Sequence, residues 1–327
     1  MACGQTPRRL AMVALLGCVL LLFVGGPDEH SSRSVRQGWQ FGHVVLFFLA
    51  TRLALPVLRS RLGVRESVAL VLLAAGLLGA LVEWLQGFVG REVSWTDVRL
   101  DVIGAALGLA GRMPADAPAI APVPDPDQWG GYRRVPLLLA AIALVVLVWL
   151  DALPVGRTLL DEYRARRDFP VLVAWAGELE LDRVKADGSV RIDNAPGRPG
   201  ERVLRIGLPP SAFAGFQLQY FPGDWRGFEL MELALYVPAG APGSITCRVH
   251  DAKHDNRYAD RFNRRFEVIQ GWNVLSIPLA DVQSAPRGRE MDLARVRGVG
   301  CFFVGLREGA SVWVGRIALG MSPSRQP

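Results

Sequence analysis

Residues 82–108 read VEWLQGFVGREVSWTDVRLDVIGAALG and join two apolar segments of the chain. Despite those neighbours, the stretch carries five polar side chains that a bilayer would disfavour: Glu83, Gln86, Arg91, Asp97 and Asp101. A polar group in hydrocarbon is costly unless it finds a partner, and a charged group is costlier still. We therefore expect these groups to satisfy one another at one end of a helical bundle in a membrane.

The apolar residues before position 154 fall into five segments, each close to the ~20 residues needed to cross hydrocarbon. The segments are 10–26, 42–58, 67–89, 95–111 and 135–153. The fourth is the weakest because charged side chains occupy its first turns, so we expect it to cross only if its polar face packs against other helices. The pattern predicts an α-helical transmembrane bundle of about five spans in a lipid bilayer.

Arginine placement predicts the orientation of this bundle, because cytoplasmic loops are enriched in positive charge. Arginines precede the first segment and lie at 59–65 and 112–134, between segments two and three and between four and five. If all five segments cross, these positions share one side, which we expect to be the cytoplasm of a bacterium. The inner membrane would then carry the C-terminal domain on its periplasmic or extracellular side, and the Pro/Ala-rich residues 113–134 would form a cytoplasmic linker.

Spacing on the third and fourth segments predicts a shared polar face. Glu83 and Gln86 are three residues apart on one helix face. Asp97, Asp101, Gly104 and Gly108 form one stripe, in which the glycines allow close helix contact. His43, at the start of the second segment, can join from the same side. Three interpretations stay open for this cluster: helix packing, a ligand pocket, or acid–base chemistry, the last without a nucleophile or metal-ligand spacing.

The order E-x-x-Q, G-R-x-x-S, D-x-x-x-D-x-x-G-x-x-x-G, with a histidine opening an earlier span, resembles the VanZ-like family of bacterial membrane proteins. The matching positions lie within residues 8–112: His43, Glu83, Gln86, Arg91, Ser94, Asp97, Gly104 and Gly108. The chain departs from the family at Trp39-Gln40, where an Asp-Lys pair is usual, and at Asp101, where Asn is usual. The resemblance implies a four-helix membrane domain over 1–112 and a link to glycopeptide antibiotic resistance, followed by a fifth helix at 135–153.

After residue 154 the pattern changes to short runs in which apolar and polar residues alternate. Such runs occur at 204–208, 233–237, 245–249 and 299–303, and turn residues such as PAGAPG at 238–243 separate them. Several short strands with this spacing predict an all-β sandwich over 160–327. Cys247 and Cys301 fall on apolar strand faces; we expect buried free thiols, and their pairing stays open.

A second resemblance concerns residues 170–320. The order of FPGDWRGFELMELALYV at 221–237, HDAKHDNRYADRFNRRF at 250–266 and GWNVLSIPL at 271–279 resembles galactose-binding-like jelly rolls of carbohydrate-binding modules. In such modules aromatic rings stack on sugar faces and charged side chains bind hydroxyl groups. The resemblance gives six ligand-binding candidates: Trp225, His250, Asp251, His254, Tyr258 and Arg261. Two structural alternatives remain, namely Trp225 as a core filler and an Asp260–Arg261 ion pair that pins the loop.

Together these features indicate a membrane protein whose exported domain binds an envelope glycan, and they favour a protein without enzymatic activity. No catalytic residue, cofactor or metal is predicted, and the scattered arginines of this chain, with a net charge of +6, form no nucleic-acid patch. One alternative is a membrane enzyme acting on a lipid-linked envelope precursor, with Glu83 or Asp97 as base and Arg91 holding a phosphate. Another is a membrane-anchored scaffold for protein interactions.

Overall fold

The computed structural model describes residues 31–88, 94–110 and 130–321, with the backbone alone at 130–138 and 141. The predicted span at 10–26, most of the predicted linker at 113–134, and Arg91 lie outside these residues. The chain divides into two compact units, residues 1–156 and 157–327. The division falls inside one long helix, so the two units are described separately.

The first unit is helical throughout its described part. Its helices are α1 (Arg33–Trp39), α2 (Phe41–Arg59), α3 (Val64–Phe88), α4 (Trp95–Ala110) and most of α5 (Gly130–Asp168). Helix α1 begins at an N-cap, because the Ser32 hydroxyl accepts a hydrogen bond from the Val35 amide. Helix α5 extends 15 residues beyond the predicted end at 153 and enters the second unit.

Three helical stretches among the described residues are long and apolar enough to cross a membrane. They are Arg33–Arg59, Val64–Phe88 and Ile142–Asp168. Within the described residues helix α4 covers 16 residues, which is short of the ~20 needed for a span. Of the five predicted spans, the first lies outside the described residues and the fourth forms this shorter helix.

Two glycines on α4 bring it against α2. A Cβ atom on Gly104 would lie 2.4 Å from the backbone oxygen of Val44, and one on Gly108 would lie 2.7 Å from the Thr51 side chain. Both distances are too short for any larger residue without a shift of the helices. The stripe of small residues is therefore the contact surface between α4 and α2.

The second unit is an antiparallel β-sandwich. Its strands are β1 (Val171–Val173), β2 (Val184–Ala186), β3 (Ser189–Ala195), β4 (Arg198–Leu208), β5 (Ser211–Leu218), β6 (Leu230–Val237), β7 (Ser244–Asp251), β8 (Phe262–Glu267), β9 (Gly271–Pro278), β10 (Val296–Leu306) and β11 (Ala310–Gly320), with a short helix α6 (Leu279–Ser284). One sheet has the order β3-β4-β11-β6-β9, with β1 paired to β11, and the other has the order β2-β5-β10-β7-β8. The predicted runs at 204–208, 233–237, 245–249 and 299–303 are confirmed as strands.

Alternating burial builds the core between the two sheets. On β7, Ile245, Cys247 and Val249 face inward, and on β10, Val299, Cys301 and Phe303 do the same. The residues between them therefore face outward, because successive side chains of a strand point to opposite faces. This alternation determines which residues of the five-stranded sheet can meet a ligand.

The expectation of free thiols is wrong for Cys247 and Cys301. They are direct partners in the β7–β10 register, their Cα atoms lie 4.1 Å apart, and they form a disulfide. Sequence spacing does not reveal this pairing because it depends on a register between strands that are far apart in the chain. A disulfide is typical of a domain outside the cytoplasm.

The end of α5 is held in the second unit by a buried ion pair. The Arg183 guanidinium donates to both carboxylate oxygens of Asp161, with a shortest distance of 2.7 Å, and to the backbone oxygen of Leu172 at 3.0 Å. The two side chains are 2% and 1% exposed. Arg183 thus connects α5, the 3₁₀ turn Glu178–Arg183 and β1.

Candidate functional site

The outward face of the five-stranded sheet carries a groove of about 790 Å³. Its lining comes from β2, β5, β7 and β10 and from the loop at 252–261 that precedes β8. The side chains that line it are mainly aromatic, basic and amide groups. A concave site that combines apolar rings with a few convergent polar groups is the usual form of a small-ligand site.

Three aromatic rings define the apolar part of the groove. Phe213 and Tyr258 are 63% and 68% exposed, and Phe302 is half-buried. Phe213 and Phe302 contact edge-on, with ring centroids 5.9 Å apart. Exposed rings that border one groove provide flat surfaces on which a sugar or another planar group can stack.

Two glycines of β10 lie beneath the side chains that β7 carries on its outward face. Gly298 and Gly300 face outward on β10, opposite His250 and Arg248 of β7. A Cβ atom on Gly298 would lie 2.3 Å from the His250 ring, and one on Gly300 would lie 3.0 Å from Nε of Arg248. The side chains of β7 can therefore lie flat across β10, which they could not do over larger residues.

The basic groups of the groove are paired with neutral amides. The Arg248 guanidinium donates to the Gln217 side-chain oxygen at 3.0 Å, and Arg261 donates to the Asn263 side-chain oxygen at 3.0 Å. Burial, and then the proximity of Arg261, lower the pKa of Arg248, yet a guanidinium remains charged in proteins. Neither arginine makes an ion pair within 31–88, 94–110 and 130–321, so both retain positive charge that a ligand can neutralise.

The loop that carries Tyr258 and Arg261 is anchored by Arg289. This guanidinium donates to the Asp251 carboxylate at 2.6 and 2.9 Å and to the Asp260 carboxylate at 3.0 Å. The hydrogen bond from Arg289 is the main reason why the pKa of Asp260 is strongly lowered. Burial raises the pKa of Asp251, but Arg289 and the Asp292 amide outweigh that effect and lower it overall. The anchored loop holds its two groove residues before any ligand arrives.

His250 lies beside the groove and is neutral at pH 7. Burial is the largest cause that lowers its pKa, to about 4, and the nearby His254, Arg248 and Arg261 add to the effect. The His250 and His254 rings are 5.1 Å apart. The His254 ring also contacts the backbone oxygen of Asp260 at 3.0 Å, so it belongs to the anchored loop.

The structure separates the six sequence candidates of this domain. Tyr258 and Arg261 line the groove. His250 and His254 lie next to it. Two candidates need correction: Trp225 has no exposed surface and packs in the core, and Asp251 is 1% exposed and engaged by Arg289. The expected Asp260–Arg261 pair is replaced by Asp260–Arg289.

Sequence reasoning missed the residues that β2, β5 and β10 contribute to the groove. Their only signal was outward alternation on strands whose partners were unknown. From these strands come Lys185 of β2, Phe213 and Gln217 of β5 and Phe302 of β10; Arg248 of β7 and Asp187, which follows β2, were missed in the same way.

The polar residues of the first unit form a second candidate site. His43 of α2, Glu83 of α3 and Asp97 and Asp101 of α4 meet where α2 and α4 begin and α3 ends. His43 Nδ1 lies 2.9 Å from Asp101 Oδ1, and His43 Nε2 lies 3.9 Å from Asp97 Oδ2. The backbone N–H of Ser94 donates to Glu83 Oε2 at 2.6 Å. Gln86 is buried on the same face of α3 as Glu83, while Arg91 lies outside the described residues.

Comparisons with known proteins concern the β-sandwich. No protein-family model and no curated protein matches the chain, so the VanZ-like resemblance stays a prediction. Among solved structures, the family 11 carbohydrate-binding module from Clostridium thermocellum in complex with a β-1,3-1,4-mixed-linked tetrasaccharide is similar at 12% identity, over 46% of this chain and 95% of that chain, with a TM-score of 0.37. The family 30 carbohydrate-binding module of a cellulosomal cellulase from Clostridium thermocellum is similar at 14% identity, over 47% and 93%, with a TM-score of 0.32. An exo-β-agarase is similar at 13% identity, over 47% of this chain and 25% of that chain, with a TM-score of 0.38.

Proposed function

We propose that the protein is a membrane-anchored glycan-binding protein, and that the groove of the five-stranded sheet is its binding site. The observation that carries this proposal is the placement of Phe213, Tyr258 and Phe302 around one groove, beside Arg248 and Gln217. Rings stack on the apolar faces of sugars, and guanidinium and amide groups bind their hydroxyl and acidic substituents. The domain then holds an envelope component near the membrane without catalysing a reaction.

The charge of the groove favours an acidic glycan. Arg248 and Arg261 are bonded to neutral amides, and Lys185 adds a third cation, whereas Asp187 is the carboxylate that lines the groove. Asp187 is partly used in the fold, because it accepts a hydrogen bond from the Gly215 amide at 2.8 Å. A guanidinium binds a carboxylate or a phosphate more strongly than a neutral hydroxyl.

The location outside the cytoplasm is part of the same proposal. The Cys247–Cys301 disulfide and the arginine pattern of the sequence both support it, and a glycan of the cell envelope would be accessible there. The three apolar helical stretches support a membrane anchor.

The test is a glycan array, followed by calorimetry with the best neutral and acidic oligosaccharides, on a soluble fragment covering 154–327. Phe213→Ala should weaken binding about 2- to 12-fold, as expected when one stacked ring is lost. Arg248→Ala should weaken binding of an acidic oligosaccharide about tenfold or more, and that of a neutral one much less. Gly300→Ala should have a similar effect, because the added methyl group displaces the Arg248 side chain.

Two control variants lie on the opposite sheet. Val274 of β9 and Arg191 of β3 are both exposed there, so Val274→Ala and Arg191→Ala truncate an apolar and a basic side chain away from the groove. Both should bind as the unmodified domain does. If the groove variants and the control variants bind a glycan equally well, the glycan proposal is wrong. It is also wrong if no glycan binds and a protein partner instead binds at Phe213.

A further inference from the structure

Three metal-ligand types from three different helices converge in the membrane unit. The side chains of His43, Glu83 and Asp97 each offer one ligand atom, and these atoms all lie within 4.8 Å of one another. In a tetrahedral zinc site, bonds of about 2.0–2.2 Å place the ligand atoms about 3.3–3.6 Å apart. His43 Nε2 and Asp97 Oδ2 are already 3.9 Å apart, so shifts of a few tenths of an ångström would bring these two atoms to the spacing of zinc ligands.

Asp101 orients the histidine as a ligand. Its Oδ1 atom lies 2.9 Å from His43 Nδ1, and both residues are buried. A carboxylate that accepts the Nδ1 proton leaves the lone pair on Nε2, the nitrogen that faces Asp97. Metal-binding histidines are commonly held in this way by a second carboxylate. Gly79 of α3 makes room for Asp101, since a Cβ atom there would lie 2.4 Å from Asp101 Oδ2.

Buried oxygen atoms in the cluster lack partners among the described residues. Glu83 is 1% exposed and its Oε1 atom accepts no hydrogen bond, and the same holds for Oδ2 of Asp101, which is 0% exposed. Three carboxylates face one another here with one histidine among them. An unpaired buried carboxylate is strongly disfavoured, so a positive charge bound at this end of the bundle would stabilise it.

We propose that His43, Glu83 and Asp97 bind a divalent transition metal ion, of which Zn²⁺ is the best fit, with Asp101 positioning His43. One nitrogen and two carboxylate oxygens suit zinc, whereas Mg²⁺ and Ca²⁺ prefer oxygen ligands throughout. Asp97 is the most exposed of the three, at 16% of its side chain, so the fourth coordination position opens on its side. The site belongs to the first unit and does not depend on the glycan-binding proposal for the second unit.

The test uses the full-length protein in an uncharged detergent, stripped with a chelator and then equilibrated with Zn²⁺. After desalting, elemental analysis should find about one zinc per chain, and competition with a chelating dye gives the affinity. Asp101→Asn should weaken zinc binding about 10- to 100-fold, as is usual for the partner of a ligand histidine. His43→Ala and Glu83→Gln should weaken it further, because the first removes the ligand nitrogen and the second replaces an anionic carboxylate with a neutral amide that binds zinc poorly. Replacement of zinc by Co²⁺ should give a visible absorption band that Glu83→Gln abolishes.

Two controls locate the metal. Glu66→Gln removes an exposed carboxylate at the opposite end of α3 and should leave zinc binding unchanged. His254→Gln tests the other cluster of potential ligands, His254, Asp255 and Asp260, and should also leave it unchanged. Size-exclusion chromatography and helical circular dichroism check folding, and the isosteric Glu83→Gln decides the case if His43→Ala does not fold. Absence of stoichiometric zinc in the unmodified protein, or equal affinity in Glu83→Gln, overturns the proposal.

Discussion

Arg183→Ala should destabilise the β-sandwich more than any exposed charge substitution. The guanidinium is 2% exposed and donates to the Asp161 carboxylate and to the backbone oxygens of Leu172 and Asp161. Its removal leaves a buried carboxylate and two carbonyl groups without this donor. Breaking a buried ion pair by removing one partner costs about 3–5 kcal/mol. For a domain of this size, that corresponds to a fall of about 6–20 °C in the melting temperature.

The assay is thermal unfolding of the fragment covering 154–327 at neutral pH, monitored by circular dichroism. The fragment begins before Thr158 and Asp161, because both side chains are buried in the second unit. Arg226→Ala, which removes a cation from an exposed pair, is the control and should leave the melting temperature unchanged. The double variant Asp161→Leu/Arg183→Met should recover most of the lost stability, because apolar residues can replace a buried pair. A fall for Arg183→Ala no larger than for Arg226→Ala would refute the reasoning.

Four further predictions concern other parts of the chain. Replacing both Cys247 and Cys301 by Ala should lower the free energy of unfolding by about 4 kcal/mol according to the loop-entropy model, as measured by urea unfolding. A reducing buffer like that of the cytoplasm should have the same effect on the unmodified domain. As the pH falls from 6.5 to about 4, the free energy of unfolding should decrease by up to about 3 kcal/mol, because His250 binds a proton in the unfolded state but stays neutral in the folded state. His250→Gln should flatten this pH dependence. Arg91→Ala should lower thermal stability in detergent and the amount of folded protein, and an unchanged melting temperature would contradict a structural role. A phosphatase fused after residue 327 should be active if the C-terminal domain is exported, and a fusion active only in the cytoplasm would reverse the topology.

The sequence predicted the sandwich better than the groove, for a physical reason. Alternating apolar residues at 245–249 and 299–303 record which side of each strand is buried, and this information is local. The groove depends on which strands are neighbours, and that is not local. Arg248 reaches Gln217 only because Gly300 lies between them on the central strand.

The loop at 252–261, with Asp251 just before it, shows why sequence alone could not separate ligand-binding residues from anchoring ones. A histidine, two aspartates and two arginines within ten residues are equally typical of a ligand site and of an anchored loop. The partner that decides between them, Arg289, lies 38 positions beyond Asp251 and had no local signal. Trp225 was likewise a candidate because of its residue type, whereas its burial depends on the strands that cover it.

In the first unit, the sequence predicted that polar groups would share one end of the bundle, but not their chemistry. His43, Glu83 and Asp97 have no ligand spacing along the chain because each comes from a different helix. Once they meet, charge becomes the deciding quantity. Glu83, Asp97 and Asp101 place three carboxylates around one histidine, so a metal ion and Arg91, which the sequence predicts to join this cluster, would each add compensating positive charge. Arg91→Ala should therefore destabilise the metal-free protein and the zinc-loaded protein alike, and bound zinc should not compensate for the lost arginine.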